Sequence, residues 1–309
     1  MSIRLPYVLL VGFLTAFTSK TYPTTMPIWQ ILSLFTFISP LPLLWLGLGN
    51  GFTSAAIASI FAFILVILGK AFGSPVDVFS FLCKIALTLA LVRYALLSRQ
   101  TESGTEWYPA GNILVYLTGI SAVSVLMYLA LGLIPTVSEE NIRQFAAQVG
   151  NSNDQIDQIY QLVLKLVNFL PGIITLNDFF LVLLNTIFAQ RILVRQKENI
   201  RPQGTVIPLH LPDYFIWVAA GFAGLVAVTL TFNTGGAYST NLLIVISAAY
   251  FIVGLSLVHE INKLYNLNTI SLVVFYVVMV LFVWLTVVVA LMGLLEPWLR
   301  TYWKSVRKP

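Results

Sequence analysis

The sequence predicts an all-α polytopic membrane protein: a bundle of about eight or nine transmembrane helices with one short amphipathic helix at the interface. The chain has 309 residues, of which 58% are hydrophobic and 9% are charged, whereas a soluble domain carries roughly 25% charged residues. Its mean hydropathy is +0.89. The apolar residues form continuous runs that approach the ~20 residues of a helical span, unlike the short alternating segments of a membrane β-barrel. Lipid is therefore the expected solvent, and residues 1–309 are expected to form a single integral membrane domain.

Nine apolar runs are candidate spans. In chain order they are 5–18, 27–49, 51–71, 75–98, 109–134, 161–194, 213–232, 240–259 and 268–295. The first is short for a full crossing. The sixth is long, and Pro171 with Gly172 is expected to divide it into a leading segment and the span proper.

The connection 135–160 predicts the amphipathic helix. Thr136 and Glu139 fit a capping box at its start. One face of the following turns is apolar, formed by Ile142, Phe145 and Val149. This pattern is typical of a helix that lies in the membrane interface.

The charges of the connections predict the orientation. The connection 135–160 is net acidic, whereas 195–212 is basic and rich in proline. By the positive-inside rule the basic connection is cytoplasmic, and counting spans backwards places the N-terminus inside as well. Nine spans would leave the basic tail 300–309 outside. We therefore favour eight crossings with both ends inside; a re-entrant segment among the last three spans, or a tail that violates the rule, remains open.

The segment 39–51, SPLPLLWLGLGNG, contains residues that disfavour a continuous helix. Pro40, Pro42, Gly47 and Gly49 predict a break in a membrane helix beside a cavity, since freed backbone groups need protein or water partners at that depth. Such breaks recur at transporter sites. The alternative is that one span ends at Ser39 and a tight interfacial turn follows. Trp45 fits an interface anchor or a stacking wall.

Lys84 lies in the middle of the fourth candidate span, where a charge costs about 2.5–3.5 kcal/mol. We expect it to pair with Asp178. Asn185 lies seven residues after Asp178 and faces the same side of its helix. The alternatives are that Lys84 snorkels to an edge and that amides such as Asn177 and Asn185 only join helices.

No catalytic motif is found: the chain lacks a Walker A sequence, HExxH, GxSxG and a carboxylate-rich DxxD run of the kind that holds magnesium and a diphosphate. Cys83 is the one cysteine and there are two histidines, which excludes a disulfide within the chain and a cysteine-based metal site. We expect no enzyme activity, no metal and no cofactor. The net charge of +5 is that of loops at a cytoplasmic face, so no nucleic-acid partner is expected.

Five stretches in order carry a resemblance to a known family. They are PLPLLWLGLGNG (40–51), EWYPAGNIL (106–114), 170–193 beginning LPG, PLHLPDYFIWVAA (208–220) and NLLIVISAAYFIVGLSLVHEI (241–261). Over nearly the whole chain the sequence resembles the YybS-like predicted bacterial membrane proteins, a family with a domain of unknown function. The resemblance implies a multi-pass protein of the bacterial cytoplasmic (inner) membrane. At a distance the family is similar to S components of energy-coupling-factor transporters and to MreD of the cell-shape machinery.

Two hypotheses follow. In the first, the protein is transport-type and binds a small-molecule or lipid-like substrate; the residues expected to contact that substrate are Trp45, Lys84, Asn177, Asp178 and Asn185. In the second, it is an MreD-like scaffold whose partners, besides the lipid bilayer, are other envelope proteins. The first predicts a continuous polar cavity around Lys84, and the second predicts a dry packed core.

Overall fold

A computed structural model describes residues 5–19, 34–71, 77–102, 104–133, 139–150, 152–202, 209–232 and 236–299. In chain order its elements are α1 (Leu5–Thr18), a 3₁₀ helix (Leu34–Ile38), α2 (Leu41–Asn50), α3 (Phe52–Ala71), α4 (Val78–Ala95), β1 (Ser98–Thr101), β2 (Gly104–Trp107), α5 (Ala110–Ala130), α6 (Glu139–Val149), α7 (Asn153–Val167), α8 (Leu170–Gln196), α9 (Phe215–Thr231), α10 (Ala237–Leu264), α11 (Thr269–Leu281) and α12 (Leu285–Leu294).

The predicted all-α membrane bundle is confirmed. In the described part of the chain, α3, α4, α5, α8 and α10 are long and apolar enough to cross a membrane. The pair α11 and α12 makes a sixth candidate if it counts as one span, and α1, residues 34–50 and α9 are shorter apolar helices. Length and composition thus support five or six spans, and the predicted count of eight or nine is not confirmed.

The second predicted span is interrupted, and its residues 27–33 lie outside the described part of the chain. Pro40 is the N-cap of α2 and Pro42 lies in its first turn, positions that proline tolerates because the N–H groups there lack helical partners. At ten residues, α2 is only about 15 Å long and cannot cross a membrane by itself. Six of its residues are buried, so it is a core helix that begins inside the bundle.

Two glycines predicted to break this helix lie within it instead. A Cβ on Gly47 would come within 2.7 Å of the Val92 side chain, and one on Gly49 within 2.8 Å of Leu193. Gly47 and Gly49 therefore allow α4 and α8 to approach α2 closely. The prolines alone mark the helix start, and the prediction of a four-residue break is corrected accordingly.

The long sixth span is divided as predicted, two residues earlier than expected. Asn168 and Phe169 separate α7 from α8. The backbone groups that lack helical partners at this break bond to Asn241 of α10, whose Oδ1 accepts a hydrogen bond from the Gly172 N–H at 2.7 Å. The Asn241 Nδ2 donates to the Asn168 carbonyl at 2.8 Å. A buried asparagine thus holds the start of α8 against α10.

The region predicted as one amphipathic helix contains two, α6 and α7, which form a helical hairpin. Ile142 is buried against α7, where the Arg143 guanidinium lies 4.5 Å from the Tyr160 ring centroid. Phe145 and Val149, expected on the same face as Ile142, are exposed. The predicted amphipathic helix is thus present as α6, but its packing was not predicted, because Ile142 contacts α7 and not lipid. The proposed capping residue Thr136 lies outside the described residues.

The helices α11 and α12 meet at a bend of 117°. Ser271 near the start of α11 is hydrogen-bonded to Asn262 near the end of α10, so α11 begins at that end of the bundle. Thr286 and Ala290 line a cavity with Ser247 and Phe251 of α10, and Gly293 lies against Gly254, so α12 runs in the same direction as α10. The pair therefore leaves and returns at the same end, which fits a re-entrant hairpin better than a broken span.

A short antiparallel β-hairpin, in which Ser98 pairs with Trp107, joins α4 to α5 and was not predicted. The main core lies between α2, α4, α5, α8, α9 and α10. The β-hairpin lies at the same end of the bundle as the end of α8. Arg201, which follows α8, donates hydrogen bonds to the carbonyls of Ala95 at the end of α4 and Tyr108 just before α5.

Candidate functional site

The predicted ion pair between Lys84 and Asp178 is present. The Lys84 Nζ lies 3.3 Å from the Asp178 Oδ1, with side-chain exposures of 21% and 2%. The Ser80 hydroxyl donates to the Asp178 Oδ2 at 3.2 Å. The pair joins α4 to α8 inside the bundle, and both carboxylate oxygens have partners.

A second carboxylate lies close to this pair. The Asp77 side chain caps α4 by accepting the Phe79 N–H at 3.0 Å. It also accepts a 3.5 Å hydrogen bond from the hydroxyl of Tyr128, whose ring lies edge-on to that of Phe79. Polar side chains of α4, α5 and α8 thus form one partnered cluster towards the starts of α4 and α8.

Asn185 is directed to the broken backbone. Its Nδ2 donates to the Phe37 carbonyl and to the Leu181 carbonyl, both at 2.8 Å. Phe37 lies in the 3₁₀ helix just before α2, where backbone carbonyls lack regular helical partners. The geometry therefore gives Asn185 a helix-joining contact.

The other two predicted substrate residues lie apart from the ion pair. Asn177 is exposed on the outer face of α8. The Trp45 Nε1 donates to the Gln196 Oε1 at 3.0 Å, and Gln196 is 18 residues beyond Asp178, or about 27 Å along the helix. The structure thus brings together Lys84 and Asp178 and does not bring Trp45 or Asn177 to them.

A cavity of about 500 Å³ lies nearer the opposite end of α8. Its walls come from α4, α5 and α8, with contributions from α2, α10 and the connection after α8. Its apolar lining consists of Leu48, Leu91, Ala95, Ala110, Ile113, Leu114, Leu117, Leu183, Ile187, Pro202, Leu209 and Ile252, and its polar lining of Thr186, Gln190, Arg191 and Arg201. The cavity is mainly apolar, and two arginines are among its lining residues.

Arg201 is held firmly at this cavity. Its Nη1 and Nη2 donate to the carbonyls of Ala95 and Tyr108, each at 3.2 Å, and its guanidinium lies 5.8 Å from the Trp107 ring centroid. The backbone of Arg201 is fixed too, because the Gln190 Nε2 donates to its carbonyl at 2.8 Å. Burial lowers the pKa of the Arg201 guanidinium below its ordinary value, although an arginine stays protonated in proteins.

In the sequence, Arg201 is distinguishable only as one of the charges that orient the chain. No local pattern separates it from Arg191 or Lys197 in the same basic stretch. The position of Arg201 depends on the connection folding back over the ends of α4 and α5, beside β2. The one available signal was Pro202, which limits the conformation of the residue before it.

A contact between a histidine and a buried carboxyl group lies where α12 ends. The His210 Nδ1 and the Glu296 Oε1 are 2.8 Å apart, and Glu296 is buried. Burial raises the pKa of Glu296 to about 7, assisted by the nearby charges of Glu260 and Asp213. A cavity of about 200 Å³ adjoins this carboxylate.

No cluster of three or more histidine, cysteine or acidic side chains suited to a metal ion occurs among the described residues.

Comparison with known proteins places the chain in a family. The family model for a predicted membrane protein, DUF2232, matches residues 24–296. No curated protein and no solved structure matches the chain. The distant similarity to S components and to MreD therefore stays a prediction from the sequence motifs. Because the family model spans most of the sequence, the chain belongs to the DUF2232 family of predicted membrane proteins.

Proposed function

We propose that this protein is a transport-type, non-catalytic membrane protein that binds a lipid-like molecule in the cavity between α4, α5 and α8. The observation that carries the proposal is the cavity itself. Its volume of about 500 Å³ falls within the roughly 300–1,000 Å³ of ligand sites. Such sites are mostly apolar with a few placed polar groups, which describes the lining of this cavity.

The proposal moves the site away from the position expected from the sequence. Lys84 does not line this cavity, so the proposed site is a mainly apolar cavity and not the polar one expected around Lys84. The interrupted segment still contributes, since Leu48 of α2 forms part of the wall. A half-length helix beside a cavity is the arrangement that recurs in transporters.

A cavity-filling substitution tests this function. Leu117 is buried and lines the cavity, so Leu117→Trp should occupy the space of a ligand. Leu126→Trp, at an exposed position of the same helix, is the matched control. Native mass spectrometry of protein extracted from membranes should detect a bound lipid-like molecule on the wild type and on Leu126→Trp. The Leu117→Trp variant should lack it.

Retention of the same molecules by all three proteins would contradict the proposal, because annular lipid does not depend on the cavity. Reconstitution into vesicles then tests movement. A molecule identified in this way should equilibrate across the bilayer faster with the wild type than with Leu117→Trp.

A scaffold role is the second candidate, and the hairpin of α6 and α7 favours it. Within the described residues these two helices pack mainly on one another. They leave large apolar side chains exposed, namely Phe145, Val149, Leu162 and Leu166. A photo-crosslinking amino acid at Phe145 should capture an envelope protein in stoichiometric amounts if this surface is a docking site, and crosslinking to lipid alone would exclude that use.

A further inference from the structure

We infer that the ligand of this cavity is an anionic amphiphile, whose negative headgroup lies at Arg201 and Arg191 and whose alkyl chain extends along the leucine-lined wall. This inference rests on the proposed function, since it names the chemical class of ligand for the same cavity. Two independent features support this inference. The first is that the two arginines have no carboxylate partner among the described residues. The second is that charge and apolar surface are separated along α8.

Within the described residues, the positive charges of Arg201 and Arg191 have no compensating carboxylate in contact with them. The Arg201 guanidinium has five N–H donors, and two backbone carbonyls use one from each terminal nitrogen. Carbonyls accept hydrogen bonds without neutralising the charge. Among the described residues the close contacts between basic and acidic side chains are Lys84 with Asp178 and His210 with Glu296, so in that part of the chain neither Arg201 nor Arg191 has a carboxylate partner. The Arg201 guanidinium is half-buried, which is unfavourable for a charge without a counter-ion, and a bound anion would remove that penalty.

The apolar surface is arranged to receive a chain from that headgroup position. Along α8, Arg191 and Leu183 both line the cavity and are eight residues, or about 12 Å, apart. Along α5, the lining continues from Ala110 to Leu117, a distance of about 10 Å. Charge therefore lies at one end of an elongated apolar wall. A free anion would leave that wall empty, and a neutral amphiphile would leave the arginines unpaired.

Three probes separate these cases: hexadecyl phosphate, hexadecanol and inorganic phosphate. Binding of each to the purified full chain in a non-ionic detergent can be measured by isothermal titration calorimetry at low salt. We expect hexadecyl phosphate to bind about tenfold more tightly than hexadecanol, since hydrogen bonds to charged groups contribute about that factor or more. Inorganic phosphate should bind far more weakly than either amphiphile.

Substitutions locate the charge preference. Arg201→Gln and Arg191→Gln should each remove most of the tenfold difference while leaving the affinity for hexadecanol unchanged. Arg195→Gln is the matched control. Arg195 is exposed, one helical turn after Arg191 in α8, and does not line the cavity. Its substitution changes the net charge by the same amount. Arg191 is exposed, so Arg191→Gln tests the proposal even if Arg201→Gln, which loses two structural hydrogen bonds, does not fold.

The outcomes separate this inference from the proposed function. Equal affinity for hexadecyl phosphate and hexadecanol, both lost in Leu117→Trp, would overturn the charge preference and leave the proposed function standing. Binding of inorganic phosphate as tight as that of hexadecyl phosphate would overturn the amphiphile in favour of a free anion. Binding of neither amphiphile, or binding unaffected by Leu117→Trp, would overturn the proposed function together with this inference.

Discussion

Replacing Lys84 by methionine should destabilise the protein more than replacing Asp178 by asparagine, although both substitutions break the same ion pair. The Nζ–Oδ1 distance is 3.3 Å. At an effective dielectric constant of about 20, Coulomb's law gives an attraction of about 5 kcal/mol at that distance. Removal of both groups from water offsets much of this attraction, so the cost of each substitution depends on the environment of the charge that remains.

The remaining charges differ in their access to solvent. Lys84→Met leaves the Asp178 carboxylate, which is 2% exposed and, among the described residues, keeps the Ser80 hydroxyl as its hydrogen-bond partner. We expect a loss of about 3 kcal/mol in the free energy of unfolding, at the low end for a broken buried pair. Asp178→Asn leaves an ammonium group that is already 21% exposed and can bend towards solvent, so a loss of about 1 kcal/mol is expected.

The double variant isolates the pair itself. Lys84→Met combined with Asp178→Asn leaves no charge at the position of this pair, and its loss should be about 2 kcal/mol smaller than the sum of the single losses. The free energy of unfolding can be measured in mixed micelles with increasing sodium dodecyl sulfate. Lys70→Met, at an exposed position in the last turn of α3, is the control and should change it by less than ~0.5 kcal/mol. Additive single effects, or a larger loss for Asp178→Asn, would refute the reasoning.

Three further predictions concern stability. Gly293→Ala should lower the free energy of unfolding by about 1–3 kcal/mol, because the added Cβ would lie 1.9 Å from a backbone carbonyl oxygen of α10. Gly221→Ala is the control, since nothing lies within 4 Å of its added Cβ. Equal thermal midpoints for the two variants would contradict this packing. Asn241→Ala should lower the free energy of unfolding by about 1–2 kcal/mol, because the Gly172 N–H and the Asn168 carbonyl lose their hydrogen bonds to its side chain. Asn177→Ala, at an exposed position, should be neutral. Equal losses in the two variants would contradict the structural role of Asn241. Because burial raises the pKa of Glu296 from 4.5 to about 7, the native state holds a proton that the unfolded state releases. Stability should therefore fall as pH rises through that window, and a thermal midpoint series that Glu296→Gln does not flatten would refute this.

Several features of the fold and of the candidate site could be predicted from local sequence. The bounds of α1 agree with the first apolar run, and the break before α8 lies within two residues of its predicted place. The pairing of Lys84 with Asp178 was predictable because few carboxylates occur in membrane segments, and a buried charge requires one. These predictions depend on solvent preference or on proline chemistry, which a residue carries wherever the chain folds.

Other features depended on partners that no local pattern reveals. The hairpin of α6 and α7 was missed because an apolar face has the same appearance whether it meets lipid or another helix. Asn185 was expected at a substrate, yet its amide donates to Phe37, 148 positions away. Arg201 was recorded only as a charge, yet it binds the Ala95 carbonyl 106 positions away.

By itself, the sequence determined that this protein dissolves in lipid, that its backbone is helical, and which few polar groups must find partners inside. Composition and apolar run length decide these properties, since a chain with 9% charged residues cannot cover a surface facing water. Only the tertiary structure decided which partners those groups find, where the interrupted α2 packs, and that an apolar cavity opens beside Arg201. These outcomes arise from helix packing between residues distant in sequence, where the shape of both surfaces sets the contact.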